Sequence, residues 1–381
     1  MKKKVSIVTS GHPYYDERIF YKFARSLNKN GYEVSIICST VDSDIDLVKD
    51  NIHIIGFNGS NLKKSEKVNK FFDHLSSIKP DVIICCEPLL ILAANKIRRA
   101  NRNIKILYDV TEWYPENVAF KFYGILKYLT YVSLFFMNII CANLADAIMI
   151  GEKSKKKRYD LIAPSKKKQI VSYYPVLEFF NYSAPKFDGK EIIFCYAGLL
   201  KIDRGINQLV EVARKFSDLN KDLLVTLKLI GKFESLQEER EFKQTIESEK
   251  KIKIKFTGWT DYPKIAELLS DVHICFDLRE HNFIYRNSLP IKIFEYMACG
   301  KPFIFSDIKP IRDELNFAEC GFLVNTNDSD EIVKSIQSYI NNDDLFLQHS
   351  QNARKIIETE KNWEKESSKL IALIESLKNF K

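Results

Sequence analysis

Lys292 and Glu295 stand three residues apart in the run Asn287-Ser288-Leu289-Pro290-Ile291-Lys292-Ile293-Phe294-Glu295-Tyr296-Met297-Ala298-Cys299-Gly300-Lys301-Pro302. On a helix that spacing puts both on one face. Pro290 suits a first turn, where its missing N–H costs nothing, and Gly300 suits the position just past a helix end. Pro302 forbids continuation. The spacing therefore predicts a helix from Pro290 to Gly300, followed by a buried strand at Phe303-Ile304-Phe305. The open N-terminus of such a helix offers amides to an anion, Lys292 adds charge, and Glu295 accepts hydrogen bonds from a diol. A phosphate beside a ribose satisfies all three, which is the shape of a sugar-nucleotide site.

Other groups stand at predicted strand ends. Tyr196-Ala197-Gly198-Leu199-Leu200-Lys201-Ile202-Asp203-Arg204-Gly205 reads as strand, loop and helix start. Gly198 lets a phosphate approach the backbone, and Arg204 or Lys201 can pair with it. Taken alone, this reads more readily as a surface loop with solvated cations; beside Lys292 and Glu295 in the same half, the site reading is preferred. Gly258, in Phe256-Thr257-Gly258-Trp259, leaves room beside a strand end, and Trp259 is expected to pack. Glu280 and His281 lie in the loop before the key helix. In the first half, Asp16 is placed to cap a helix just after Gly11 and His12, with Arg18 expected to pair inside its own domain. Thr111 and Glu112 follow another strand, at the carboxyl edge where α/β sheets bind ligands. Either could touch a sugar hydroxyl or simply cap a helix.

These residues need strands to hold them, and the chain supplies short apolar runs alternating with amphipathic stretches. Strands are predicted at Val5–Thr9, Glu33–Ser39, Ile52–Phe57, Asp81–Cys86, Lys105–Val110, Asp146–Ile150 and Gln169–Tyr173. Helices are predicted to begin near Asp16, Ser65, Pro88 and Glu116. After the polar segment Asn181–Lys190 the pattern restarts, with strands at Ile192–Tyr196, Leu223–Ile230, Ile252–Phe256, Val272–Asp277, Pro302–Ser306 and Gly321–Val324. The prediction is an α/β chain of two Rossmann-like domains with parallel sheets, residues 1–183 and 190–362, facing a cleft.

The chain has 381 residues, 45% of them hydrophobic, and a formal charge of +8. It is long enough for two cores, too apolar for disorder, and suited to an anionic partner. Eight cysteines without a Cys-x-x-Cys pair, several in apolar strands, point to buried reduced thiols and a cytosolic compartment. No signal peptide is evident. The scattered histidines suggest no metal site, and neither a phosphate-binding Walker loop nor a nucleic-acid-binding module is found. Tyr128 to Ala145 carries no charge over 18 residues, the lower limit for a membrane span. Two readings stay open: a buried crossover helix, or a helix dipping into a membrane interface. Lys121 and Lys127 precede it, and Lys153, Lys155, Lys156, Lys157, Arg158, Lys166, Lys167 and Lys168 follow, which suits an anionic membrane face.

The run from Asn287 to Pro302 resembles the nucleotide-binding helix of GT-B glycosyltransferases, in the large retaining family four group (glycosyl transferases group 1). His12-Pro13-Tyr14-Tyr15-Asp16-Glu17-Arg18-Ile19-Phe20, with Gly31-Tyr32-Glu33-Val34, resembles the opening of the same family. Glu295 matches the second of two glutamates that bracket the family's helix, while Asn287 replaces the first. Leu199 stands where a first cation is common, and Thr111 where relatives carry His. The resemblance implies a GT-B fold whose tail, residues 363–381, completes the first domain. It implies a retaining, metal-independent hexosyl transfer from a nucleotide-sugar, most simply a UDP-sugar, with no other cofactor. Arg204, Lys292, Glu112 and His12 are the implied catalytic set. Gly198, Lys201, Gly258, Asn287, Ser288, Leu289 and Glu295 are the implied donor-binding set. The implied acceptor is a sugar or polyprenyl-linked glycan in cell-surface polysaccharide or glycolipid synthesis, with no nucleic acid involved. The implied location is cytoplasmic, peripheral at the inner face of the plasma membrane. A sugar-nucleotide epimerase of the same fold and a non-catalytic partner subunit are the competing readings.

Overall fold

The computed structural model describes residues 2–377. The chain divides into two compact units. One comprises residues up to Tyr173 together with the segment from Trp363, and the other runs from Tyr174 to Asn362. The division falls at Tyr173, where the sequence pattern had suggested 183.

In the first unit the strands are β1 (Lys4–Thr9), β2 (Glu33–Cys38), β3 (Thr40–Lys49), β4 (Ile52–Asn58), β5 (Val82–Cys85), β6 (Lys105–Val110), β7 (Ala147–Ile150) and β8 (Lys167–Ile170). They form one sheet in the order β3-β4-β2-β1-β5-β6-β7-β8. The central strands β1 and β2 bury nearly every residue, which is why they read as continuous apolar runs. All pairs are parallel except β3 with β4, which is antiparallel. This strand was not expected and departs from the all-parallel prediction. Its sequence, Thr40-Val41-Asp42-Ser43-Asp44-Ile45-Asp46-Leu47-Val48-Lys49, is mostly polar because it is an edge strand with much of its surface in solvent. The last predicted strand of this half is displaced: β8 ends at Ile170 and Val171–Tyr173 lie beyond it. The helix predicted from Glu116 is two pieces, a short turn Glu116–Ala119 and a long helix Gly124–Leu144.

The segment from Trp363 forms a helix, Trp363–Ser376, that docks on the first unit. The indole of Trp363 donates to the Ser26 hydroxyl at 2.8 Å, and Glu366 accepts from the amide of Ser172 at 2.9 Å. Residues 378–381, the end of the predicted tail, lie outside the described residues.

The second unit holds β9 (Glu191–Ala197), β10 (Leu224–Ile230), β11 (Lys253–Gly258), β12 (Ile274–Asp277), β13 (Phe303–Ser306) and β14 (Gly321–Val324). Their order is β11-β10-β9-β12-β13-β14, parallel throughout. Phe194, Phe216, Leu227, Phe276 and Ile336 lie in one buried cluster that joins this sheet to its helices.

In each sheet the first strand has neighbours on both sides that are reached in opposite directions: β2 and β5 flank β1, and β10 and β12 flank β9. Crossovers leave such a point on opposite faces, so a crevice opens at the carboxyl ends of the strands. The two crevices lie beside β1 and β5 in the first unit, and beside β9 and β12 in the second.

Candidate active site

The second-unit crevice gathers residues from three loops. Gly198 follows β9 with φ +128°, and a Cβ there would lie 3.2 Å from the Lys292 ammonium. The lysine thus lies directly over bare backbone. Gly205 has φ +80°, and a Cβ there would fall 2.0 Å from the Leu278 carbonyl oxygen. Only glycine allows the loop after β9 to press against the loop after β12 so closely.

Asp277 closes β12 and is wholly buried. Its two oxygens accept from Arg279, Nε at 2.8 Å and Nη2 at 2.5 Å. The Lys292 Nζ lies 3.3 Å from Asp277 Oδ2 and 3.6 Å from the centre of the Tyr196 ring, without hydrogen-bond geometry to any acceptor. Arg204 lies against the hydroxyls of Tyr196 and Tyr285, and its Nε is buried without an acceptor. Tyr285 in turn donates to Asp203 at 2.9 Å.

Three cations therefore share one buried carboxylate. Burial pushes the Asp277 carboxyl up, but Arg279, Lys292 and Arg204 together hold it well below the usual range, so it is ionised. Burial is also the largest influence on Lys292; Arg204 and Arg279 add to it, Asp277 opposes it, and the ammonium is brought down to about 7. Positive groups outnumber the one carboxylate here, so the arrangement can receive an anion.

The other expected residues of this unit fall into place unevenly. Glu295 lies one turn beyond Lys292 and is 6% exposed. The helix is shorter than predicted, Lys292–Ala298, because Pro290 and Ile291 form a tight turn ahead of it. Asn287 ends a short helix, Phe283–Asn287, and turns its amide onto the Phe283 carbonyl at 2.8 Å; Ser288 and Leu289 follow it, half-buried, ahead of Lys292. Lys201 pairs with Glu234 at 2.7 Å and Asp203 at 3.5 Å, which separates it from the cluster around Asp277. Gly258 has φ +72° with open space where a side chain would stand. Trp259 does not pack as expected: it is 55% exposed, with Lys232 over its ring at 5.3 Å. It follows the edge strand β11, where the sheet has no neighbour to cover it. His281 keeps a buried Nε2 without a hydrogen-bond partner.

In the first-unit crevice, Glu87 organises the loop after β1. It accepts from the amides of Ser10 at 2.8 Å and Gly11 at 3.1 Å and from the Thr9 hydroxyl at 3.0 Å. His12 Nδ1 lies 3.2 Å from Asp16, which also caps the following helical segment through the amides of Arg18 and Ile19. Burial and Arg18 push the His12 imidazole down, but Asp16 and Glu87 outweigh them and its pKa is raised. Arg18 is structural, as its position suggested: it pairs with the buried Asp109 at 3.4 Å, and Asp109 accepts from Tyr173 at 2.5 Å. Glu112 is exposed on the loop after β6. Its neighbour Glu116 is held by both guanidinium nitrogens of Arg158 at 2.7 and 2.5 Å.

Asp277, Arg279 and Glu87 were missed in the sequence. Each sits at the carboxyl end of a strand, and that position was the available signal.

Residues 180–356 match the family model described as glycosyl transferases group 1. An uncharacterised glycosyltransferase of Haemophilus influenzae is 25% identical over 362 residues, covering 90% of this chain and 91% of the relative. The chain has the GT-B fold, and its enzyme class is that of a glycosyltransferase. Two solved structures share the fold over nearly all of both chains. Sucrose-phosphate synthase from Thermosynechococcus elongatus superposes with a TM-score of 0.77 at 16% identity, covering 99% of each chain. The HepE protein of Anabaena, crystallised with UDP, gives 0.71 at 12% identity, covering 98% of this glycosyltransferase and 100% of its own chain.

Proposed function

We propose that this glycosyltransferase takes a sugar from a UDP-sugar and transfers it, with retention and without a metal ion, to a hydroxyl of a glycan acceptor. The observation that carries this reading is the Lys292 ammonium, buried beside Arg204 and Arg279 and lacking an acceptor. A diphosphate supplies the oxygens that the Lys292 ammonium and the Arg204 Nε lack. The three cations can neutralise charge that develops on it, the task a divalent ion performs elsewhere. The structures of HepE with UDP and with UDP-glucose support the choice of nucleotide.

In the reaction the acceptor oxygen bonds to the anomeric carbon as the bond to the diphosphate oxygen breaks. The acceptor proton passes to the departing phosphate, so no protein nucleophile is required. Arg204 and Lys292 stabilise the leaving group. Glu295 holds the ribose, and Gly198 and Gly258 admit phosphate and base to the backbone. Lys201, with Asn287, Ser288 and Leu289, borders the donor. Glu112 and His12 handle the acceptor, for which a polyprenyl-linked glycan at the inner face of the plasma membrane is the proposed class, in cell-surface glycan synthesis.

The test is a panel of UDP-, GDP- and dTDP-sugars screened by thermal stabilisation, followed by NMR of the product's anomeric centre. A ligand that binds only the native state raises its stability. Selective stabilisation by UDP and one UDP-sugar, with a retained anomeric configuration in the product, is expected. Stabilisation by none of the panel would overturn the reading.

A further inference from the structure

The helix Gly124–Leu144 crosses from β6 to β7 and shows an unusual exposure. Its inner side is fixed: the Cys141 thiol donates to the Pro88 carbonyl at 3.2 Å, and Asn138 hydrogen-bonds the Tyr159 hydroxyl at 3.3 Å. Its outer side is apolar and bare. Ile125 is 73% exposed, Leu129 61%, Val132 51%, Phe136 60% and Ile140 57%. Spacings of three and four residues stack these five into one stripe. Only 17% of the most apolar window of this helix is buried, so the buried-crossover reading of the sequence is overturned.

The helix is long and apolar enough to cross a membrane, but its setting forbids that. Its two ends feed strands that are hydrogen-bonded neighbours, with Leu107 paired to Ala147, and its own buried Asn138 is tied to Tyr159. It can only lie along a surface. Charge says which surface. From Asn117 to Ala145 there is no Asp or Glu. Lys121 stands exposed before the helix, and the Lys127 ammonium lies over the Phe120 ring at 4.3 Å. Lys153 and Lys157 are exposed on the helix Lys153–Ile162, which packs beside it. A twofold pair of copies would bring like residues together, crowding the same lysines with no carboxylate on the helix between them. An anionic lipid surface accepts both the stripe and the cations.

We infer that the outer face of the helix Gly124–Leu144 is a monotopic docking surface for anionic phospholipid, with Ile125, Leu129, Val132, Phe136 and Ile140 entering the interface and the flanking lysines meeting the headgroups. This deepens the proposed membrane-linked acceptor, yet it is tested without any turnover.

The full chain is sedimented with vesicles of phosphatidylcholine alone and of phosphatidylcholine with phosphatidylglycerol. Binding to the second and little to the first is expected, weakening as salt rises. The double variant Leu129→Glu/Phe136→Glu is expected to lower bound protein about tenfold or more. Both positions are exposed, so its UDP-induced thermal shift is expected to equal that of the parent. Failure to sediment with phosphatidylglycerol vesicles, or sedimentation undiminished in the variant, overturns the inference. So does a dimer that the same variant dissociates while vesicles stay unbound. Vesicle binding without any shift from UDP would leave this surface standing and remove the donor reading instead.

Discussion

Lys292 and Asp277 face each other at 3.3 Å, closer than an ion pair needs and without the alignment of a hydrogen bond. Asp277 gives its best geometry to Arg279, so Lys292 is left over as the adaptable cation of the group. A phosphate would complete its coordination.

Donor affinity is therefore expected to depend on pH through Lys292. In the empty site this lysine titrates at about 7 because it is buried and sits beside Arg204 and Arg279. A bound diphosphate raises its pKa, so binding above pH 7 takes up a proton. Affinity for UDP should fall by up to about tenfold per pH unit above 7. Calorimetry in buffers of different ionisation enthalpy reads the proton directly, and Lys292→Arg should flatten the profile. A flat profile in the parent between pH 6 and 9 would count against the assignment.

The same residue is expected to cost stability. An unfolded lysine titrates near ~10.4, well above the native value of about 7. Below 7 both forms are charged and burial exacts its full penalty. Between the two values the penalty shrinks as pH rises, and above both it is gone. Lys292→Met should stabilise the ligand-free protein at pH 6 by a few kcal/mol, on the order of 2–4, while abolishing the thermal shift from UDP. Unfolding curves with and without UDP check both halves; a destabilised variant would contradict the first.

Glu295→Ala tests the ribose contact. A hydrogen bond to a charged group is worth about 1.5–3 kcal/mol, so UDP affinity should fall roughly ten- to a hundredfold. Unchanged affinity in calorimetry would sink the assignment.

Arg18→Ala serves as the structural contrast. It leaves Asp109 buried with Tyr173 but without its cation. Burial already pushes that carboxyl up, with Arg18 the main opposing influence. Loss of about 3–5 kcal/mol in urea unfolding is expected, along with a further rise of the Asp109 pKa. A loss below about 1 kcal/mol would show the pair to be dispensable.

Much of the donor half was legible in the sequence because its signals are local. Pro290, Gly300 and Pro302 punctuate one helix, and Lys292 and Glu295 share its face by spacing alone. The strands of both sheets were legible for a related reason: a parallel strand buried on both faces must be apolar along its length. The edge strand β3 escaped because half its surface is in water and its sequence is correspondingly polar.

Spacing determined the elements, the restart of the pattern into a second unit, and the helix that carries Lys292. Only the tertiary structure decided which charges meet. Asp277 was legible only as the end of a strand, and Arg279 carried no signal of its own; folding buries them against Lys292 and Arg204 from two other segments, and burial makes their interaction strong enough to move a lysine to about 7. It likewise turned Trp259 and the stripe from Ile125 to Ile140 outward, though both are apolar enough to be buried. Hydrophobicity along a chain states a preference for burial, and whether another element arrives to cover a given face depends on contacts that neither composition nor period contains.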